Sequence, residues 1–171
     1  MVGCMRRLAA AALVVLAACS PELDWREFTS AEGRFTVMLP ARPTRESREL
    51  VLAGTKVRMQ MVTAQVSGTA FGVGYADLPS AADAVRTVSD IRDALTRNLG
   101  GRVISERPVD LDGATGIEFQ VEGAAQGSPM RLAARVVAAG NRFYQVVVVG
   151  RAERMAGVDL TLFPGSFKLV K

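Results

Sequence analysis

Apolar and polar side chains alternate along most of the chain, and the alternation gives way to a helical period once. Over residues 34–39, Phe35, Val37 and Leu39 interleave with Arg34, Thr36 and Met38, the period of a half-buried strand. Pro40 and Pro43 close that segment, and the following ARPTRESRE reads as a solvated loop of mixed charge. Strands are expected over 48–52, 56–66 and 69–76, with Ala53-Gly54 and Ser67-Gly68 at the turns. From residue 80 to 99 the period becomes helical: Ala84, Val88, Ile91, Leu95 and Leu99 form one stripe. Ser80, with Asp83 three residues on, supplies an N-terminal cap, and Gly100-Gly101 a stop.

Strands resume over 102–110, 115–122, 130–138 and 142–149, with Gly140-Asn141 at the last turn. Charge sets a register for the hairpin across GAAQGSP. Pairing Glu118 with Arg135 also sets Glu122 opposite Arg131, whereas a slip of one residue loses both pairs and flips the face. FYQVVVV, residues 143–149, is apolar on both faces and therefore expects cover on both, as a central strand does. One cover is the 80–99 helix; the other is expected as a helix within 152–163, before a last strand over 166–170. The fold class expected is α+β: a single domain with an antiparallel sheet sandwiched between helices in an α/β/α arrangement.

A different pattern opens the chain. Arg6-Arg7 precede an apolar run over 8–18, too short for a membrane span of about 20 residues but of signal-peptide size. The run ends in Leu16-Ala17-Ala18-Cys19, which resembles a bacterial lipobox, the signal at which a cysteine thiol receives a diacylglyceryl group and the chain is cut before it. Small residues at Ala17 and Ala18 admit a peptidase, and only a thiol at Cys19 makes the thioether. The division expected is a lipoprotein signal peptide at 1–18, a lipidated N-terminus and tether at 19–33, and one globular domain at 34–171. Two or more acyl chains, palmitate among them, hold a protein stably on a membrane. Ser20, in place of Asp, points to the outer membrane facing the periplasm if the host is Gram-negative.

Composition then narrows the chemistry. The 171 residues suffice for one domain. Removing residues 1–18 takes away Arg6 and Arg7 and no acid, so the formal charge of +4 becomes +2. Such balance, with no concentrated basic run, speaks against nucleic acid as a partner. Histidine is absent, which removes the commonest general base and zinc ligand. With cleavage before Cys19 the mature chain holds one cysteine and no internal disulfide. Asp110 to Gly113, DLDG, lacks the third ligand and distal Glu of a calcium loop and reads as a turn. Gly72-Val73-Gly74 lacks the third glycine and following helix of a dinucleotide site and reads as a bulge or close packing. Asp83, Asp90 and Asp93, among Arg86, Arg92 and Arg97, read as a solvated helix face. Met59 and Met61 share a strand face and read as core. No Ser-x-x-Lys motif is present. No catalytic, cofactor or metal site is assigned, and an enzyme is not expected.

DWREFTSAEGRFTVMLPARP at the start of the domain, and GNRFYQVVVVG followed by FPGSFKLV at its end, resemble small bacterial envelope domains of the PsbP-like superfamily. The resemblance rests on Phe35, Val37, Pro40, Tyr144 and Phe167, which are fold-forming positions. It implies an interaction or assembly module and carries over no catalytic residue. The function expected is a membrane-anchored, non-catalytic envelope lipoprotein that binds a protein partner through its loops and the exposed side of the sheet edge. The alternative is a carrier or sensor of a small apolar ligand held between helix and sheet. Cys19→Ser is expected to leave an uncut, unlipidated precursor, read by intact mass; normal processing of that variant would refute the lipobox.

Overall fold

The computed structural model describes residues 23–52, 54–156 and 159–170. Two antiparallel sheets form. The smaller has the order β1 (Arg26–Ser30), β2 (Phe35–Leu39) and β10 (Lys168–Leu169), with β2 central. The larger has seven strands in the order β3 (Thr44–Leu52), β4 (Thr55–Val66), β5 (Thr69–Asp77), β9 (Arg142–Arg151), β8 (Ser128–Ala139), β7 (Ala114–Ala125) and β6 (Arg102–Leu111). Its tight turns follow the sequence signals: Ser67-Gly68, Asp112-Gly113 and Gln126-Gly127 all have positive φ at both residues, matching the right-handed twist of the strands they join.

β9 is the middle strand of seven, as its apolar character on both faces demands. Phe143 faces one side, among the residues under the helix; Tyr144, Val146 and Val148 face the other. The helix side is covered by α1 (Ala81–Asn98), whose Ala84, Val88 and Ile91 are buried against Phe119, Val121, Leu132 and Ala134. Ser80 caps it as expected, its hydroxyl accepting from the Asp83 amide at 3.1 Å.

The opposite cover differs from the α/β/α expectation. It is the three-stranded sheet, which presents Phe35, Val37 and Leu39 inward, each 1% exposed or less. Among the described residues of 152–163 the helical parts are single turns, α2 (Ala152–Met155) and the start of α3 (Leu162–Gly165). Gly157, Val158 and Thr161 disfavour a helix in this stretch, and a lone turn fixes several dihedrals for few hydrogen bonds. A sheet closes the core instead, because β2 already alternates correctly and needs only a strand on each side. The layers are therefore helix, large sheet, and small sheet with two helical turns.

Two boundaries also move. β1 lies inside the stretch assigned to the tether at 19–33, so the domain begins before residue 34; Phe28 pairs with Val37 and Ser30 with Phe35. Gly33 in the turn is fixed by crowding, since a Cβ there would sit 2.4 Å from the Phe35 ring. β3 begins at Thr44, within the stretch read as a solvated loop.

Glu118 pairs with Arg135 and Glu122 with Arg131, the expected register. The ladder continues onto β6, where Arg107 opposes Glu118 and Arg102 opposes Glu122. Four residues separate the pairs on β7 and β8, but five separate Arg102 from Arg107. A bulge between Val103 and Ser105 absorbs the extra residue, Ile104, and brings Arg102 back to the same face. Glu118 accepts from Arg107 at 2.6 Å through one oxygen and from Arg135 at 2.5 Å through the other. Glu118 and Arg135 are buried, whereas the Arg107 side chain is 64% exposed. Glu118→Leu should therefore cost about 3–5 kcal/mol in urea unfolding by leaving Arg135 buried and unpaired. Glu118→Leu with Arg135→Met should recover most of that loss, and Arg107→Ala should cost less than about 1 kcal/mol.

Candidate functional site

At one end of the sheet, strands β5 and β9 grip the turn between β1 and β2. Arg142 donates to both carboxylate oxygens of Asp77, at 2.6 and 2.7 Å, and to the Glu32 carbonyl at 2.8 Å. Its guanidinium lies 5.4 Å from the centre of the Tyr75 ring. The buried Tyr144 hydroxyl donates to the Gly33 carbonyl at 2.9 Å. Hydrogen bonding from Arg142 holds the Asp77 carboxyl below its ordinary range, and the same bond raises Arg142. Burial pushes both the Tyr75 and the Tyr144 phenols up. The cluster thus holds a permanent cation, a permanent anion and two phenols kept neutral, with Arg142 and Asp77 committed to each other. That chemistry makes a clamp between the sheets rather than a proton-transfer site.

The Glu118 ladder borders a cavity of about 110 Å³ beside Gln120, Ala133, Leu160 and Pro164. Ligand pockets usually exceed about 300 Å³, so this space suits at most a few atoms. A second, apolar cavity of about 140 Å³ opens where the described chain begins, among Leu23, Val66, Thr69, Phe71, Val148 and Met155. Between α1 and the sheet, where a small apolar ligand was expected in the carrier reading, Val88 and Ile91 are packed into the core and Leu95 is partly buried against it.

The remaining sequence candidates fall into place singly. DLDG is a turn in which the Asp110 carboxylate accepts from the Gly113 amide at 3.1 Å. No grouping of three or more potential metal ligands occurs among the described residues. Gly74 is a site of close packing: a Cβ there would meet the Met59 methyl at 2.0 Å. Met59 is core, whereas Met61 is only half-buried. Arg86 pairs with Asp83, and Arg92 with Asp93 and Glu106, on the solvated helix face. Leu16, Ala17, Ala18 and Cys19 lie outside the described residues.

A surface the sequence did not disclose lies beside the helix. α1 packs mainly over β6, β7, β8 and β9; on the same face Val57, Met59 and Ala76 are buried, but the Met61–Gln65 end of β4 and the Ala70–Gly72 start of β5 are less covered. Register aligns Thr63 with Gly72 and Val147, and Gln65 with Ala70 and Val149. Thr63, Ala70, Gly72, Val147 and Val149 are all half-buried, and Met61 continues the strip. The strip is mostly apolar, with small residues at Ala70 and Gly72 and the exposed Gln65 beside them. The sheet edges are less suited to docking. β3 carries Arg45, Glu46, Arg48 and Glu49, and β6 has its bulge and Pro108. Charge, bulges and proline at an edge discourage strand addition. The signal for the strip was present only as small and β-branched residues on neighbouring strands, which alternation alone reads as covered core.

No protein-family model and no curated protein sequence matches this chain. Among solved structures, it is similar to the solution structure of cyanobacterial PsbP (CyanoP) from Synechocystis, with a TM-score of 0.54 and 11% identity over 92% of this chain and 98% of that one. The domain therefore has a PsbP-like fold. A Bacteroides thetaiotaomicron protein gives a TM-score of 0.44 and 12% identity over 85% of this chain and 48% of its own length. A Pseudomonas aeruginosa protein of unknown function gives 0.41 and 9%, over 77% and 86% respectively.

The clamp makes an alkaline prediction. Because Tyr75 and Tyr144 are raised above the ordinary value near 10.0, the folded chain keeps protons that the unfolded chain releases. Their contribution is complete below pH 10 and is lost as pH rises through the folded-state values. Thermal midpoints should fall above about pH 10. Tyr144→Phe should lower stability at pH 8 by about 1 kcal/mol, through the lost bond to Gly33, and flatten the alkaline decline.

Proposed function

We propose that this chain is an envelope lipoprotein, anchored through acyl chains on Cys19, whose PsbP-like domain is a non-catalytic docking module for an envelope protein. The anchor is supported by the leader itself: a charged start, a short apolar run and LAAC in sequence. The docking role is supported above all by the open apolar strip of Met61, Thr63, Ala70, Gly72, Val147 and Val149. Half-exposed apolar surface contiguous across three strands marks an interaction site more than scattered apolar residues do. The strongly interacting polar groups are meanwhile engaged with one another, in the Asp77–Arg142 clamp and the Glu118 ladder. The partner reading therefore shifts from the sheet edge to this strip.

A photo-reactive amino acid placed at Thr63 in the native host should yield one discrete protein adduct. The same group at Ser47, on the opposite face of the neighbouring strand, should not. Val147→Arg, in a chain whose circular dichroism is unchanged, should abolish the Thr63 adduct. An adduct that survives Val147→Arg would overturn the strip as the docking surface. No adduct together with a stoichiometric small molecule in the native mass would replace the module reading with a carrier.

A further inference from the structure

The two ends of the large sheet differ in charge, and the chain enters at one of them. Leu23 lines one cavity together with Val66, Thr69 and Met155, and Trp25 stacks edge-on to Phe71 at 5.7 Å. The entry is thus beside the Ser67-Gly68 turn and α2. Register assigns the same end to Arg102, Arg131 and Arg151, since Arg102 opposes Glu122, Glu122 opposes Arg131, and Arg151 opposes Met130. The C-terminus of α1 arrives there too, for the Ala124 amide donates to the Leu99 carbonyl at 3.0 Å. Arg97 in its last turn and Arg154 in α2 are exposed and have no ion partner among the described residues. The acids of this end are Asp24, Glu122, Glu153 and Asp159; the first three pair with arginines, Asp24 with Arg26, and Asp159 accepts from Thr161, so arginine still outnumbers acid here. The far end instead has no surplus of cations: Glu32, Glu49, Asp77, Asp83, Asp110 and Asp112 stand with Arg34, Lys56, Arg58, Arg86 and Arg142, and Lys56, Arg86 and Arg142 are paired with Glu49, Asp83 and Asp77.

We propose that the Leu23 end is the membrane-facing end of the domain, held against anionic phospholipid headgroups by Arg97, Arg102, Arg131, Arg151 and Arg154. The proposal rests on the anchor reading, because Cys19 precedes Leu23 by four residues. Four extended residues reach about 13 Å, too short for the domain to stand clear of the headgroups. A tether that short confines the domain to the surface, and surplus arginine at the entry end decides which end turns down, since each cation near an anionic surface is attracted within roughly a Debye length. The strip on β4, β5 and β9 then runs along the strand direction away from the bilayer, open to a partner from the side.

Lipidation blocks Cys19 and signal removal discards Cys4, so an introduced cysteine is the sole free thiol. Full-length lipoprotein is expressed in a lipoprotein-processing host, labelled with an environment-sensitive dye at Ala156→Cys or at Val51→Cys, and reconstituted into phosphatidylethanolamine–phosphatidylglycerol vesicles with nitroxide lipid. Ala156 ends α2 at the entry end; Val51 lies at the far end of β3 and is 68% exposed. The Ala156 dye should be quenched several-fold more than the Val51 dye. Arg97→Glu with Arg154→Glu should reduce that difference while the protein still floats with the vesicles. Equal quenching at both positions, or an unquenched Ala156 dye on floating protein, would overturn the orientation and leave the anchor standing. A chain of unmodified mass that fails to float would overturn the anchor reading and this proposal with it.

Discussion

Glu118, held between Arg107 and Arg135, sets the register on which one half of the large sheet depends. A strand pair can slide by one residue and keep most of its backbone hydrogen bonds, but every side chain then changes face. Here the slide would strand a buried guanidinium and a buried carboxylate, each of which is costly without its partner. The same register puts Phe119 and Val121 under α1, and Ala133 and Val137 toward the small sheet. The bulge at Ile104 belongs to this constraint. Without it, Arg102 would face the helix layer, whereas with it two Arg–Glu–Arg rungs lie on one face of three strands.

The second constraint is β9, apolar on both sides and therefore in need of two covers. An amphipathic helix supplies one. The other comes from the two ends of the chain, which meet as β1, β2 and β10, with α2 and α3 filling the flank. Closing the core with distant segments leaves the small sheet dependent on a few ties to the large one. Arg142 and Tyr144 provide them, because each reaches a backbone carbonyl of the β1–β2 turn. The clamp is therefore structural even though Asp77, Arg142, Tyr75 and Tyr144 are all shifted from their ordinary values.

What the sequence disclosed was local or periodic. The α1 stripe and its Ser80 cap, the hairpin turns and the Glu118–Arg135 register all follow from residues within about twenty positions of one another. The missed elements needed distant information. β1 has five residues, of which Phe28 alone is a large apolar side chain, so its strand character comes from β2 opposite it. The 152–163 segment has enough apolar residues for a helix but also carries Gly157, Val158 and Thr161, which are poor helix formers, and whether it caps the sheet depends on what else competes for that face. The open strip was hidden because alternation reports which residues share a face, and not whether another layer reaches that far. Val147 and Val149 have the same sequence character as Val146 and Val148, yet the helix ends its coverage beside them.

Clamp and strip occupy different parts of one frame, and on the proposed anchored reading their separation from the chain entry would have a mechanical consequence. The described chain begins beside α2 and the Ser67-Gly68 turn, whereas the clamp lies at the opposite ends of β5 and β9. A load between anchor and domain would enter through Leu23 and Trp25 and pass into β1, whose pairing with β2 runs antiparallel over five residues. Trp25 against Phe71 carries part of that load directly to the large sheet, and the clamp holds the other end of the hairpin. The strip, on the far face of β4, β5 and β9, is spared because none of its residues belongs to the small sheet. On the proposed reading, strain from an anchor would therefore pass first into the small sheet, while the register of the large one is held independently by Glu118.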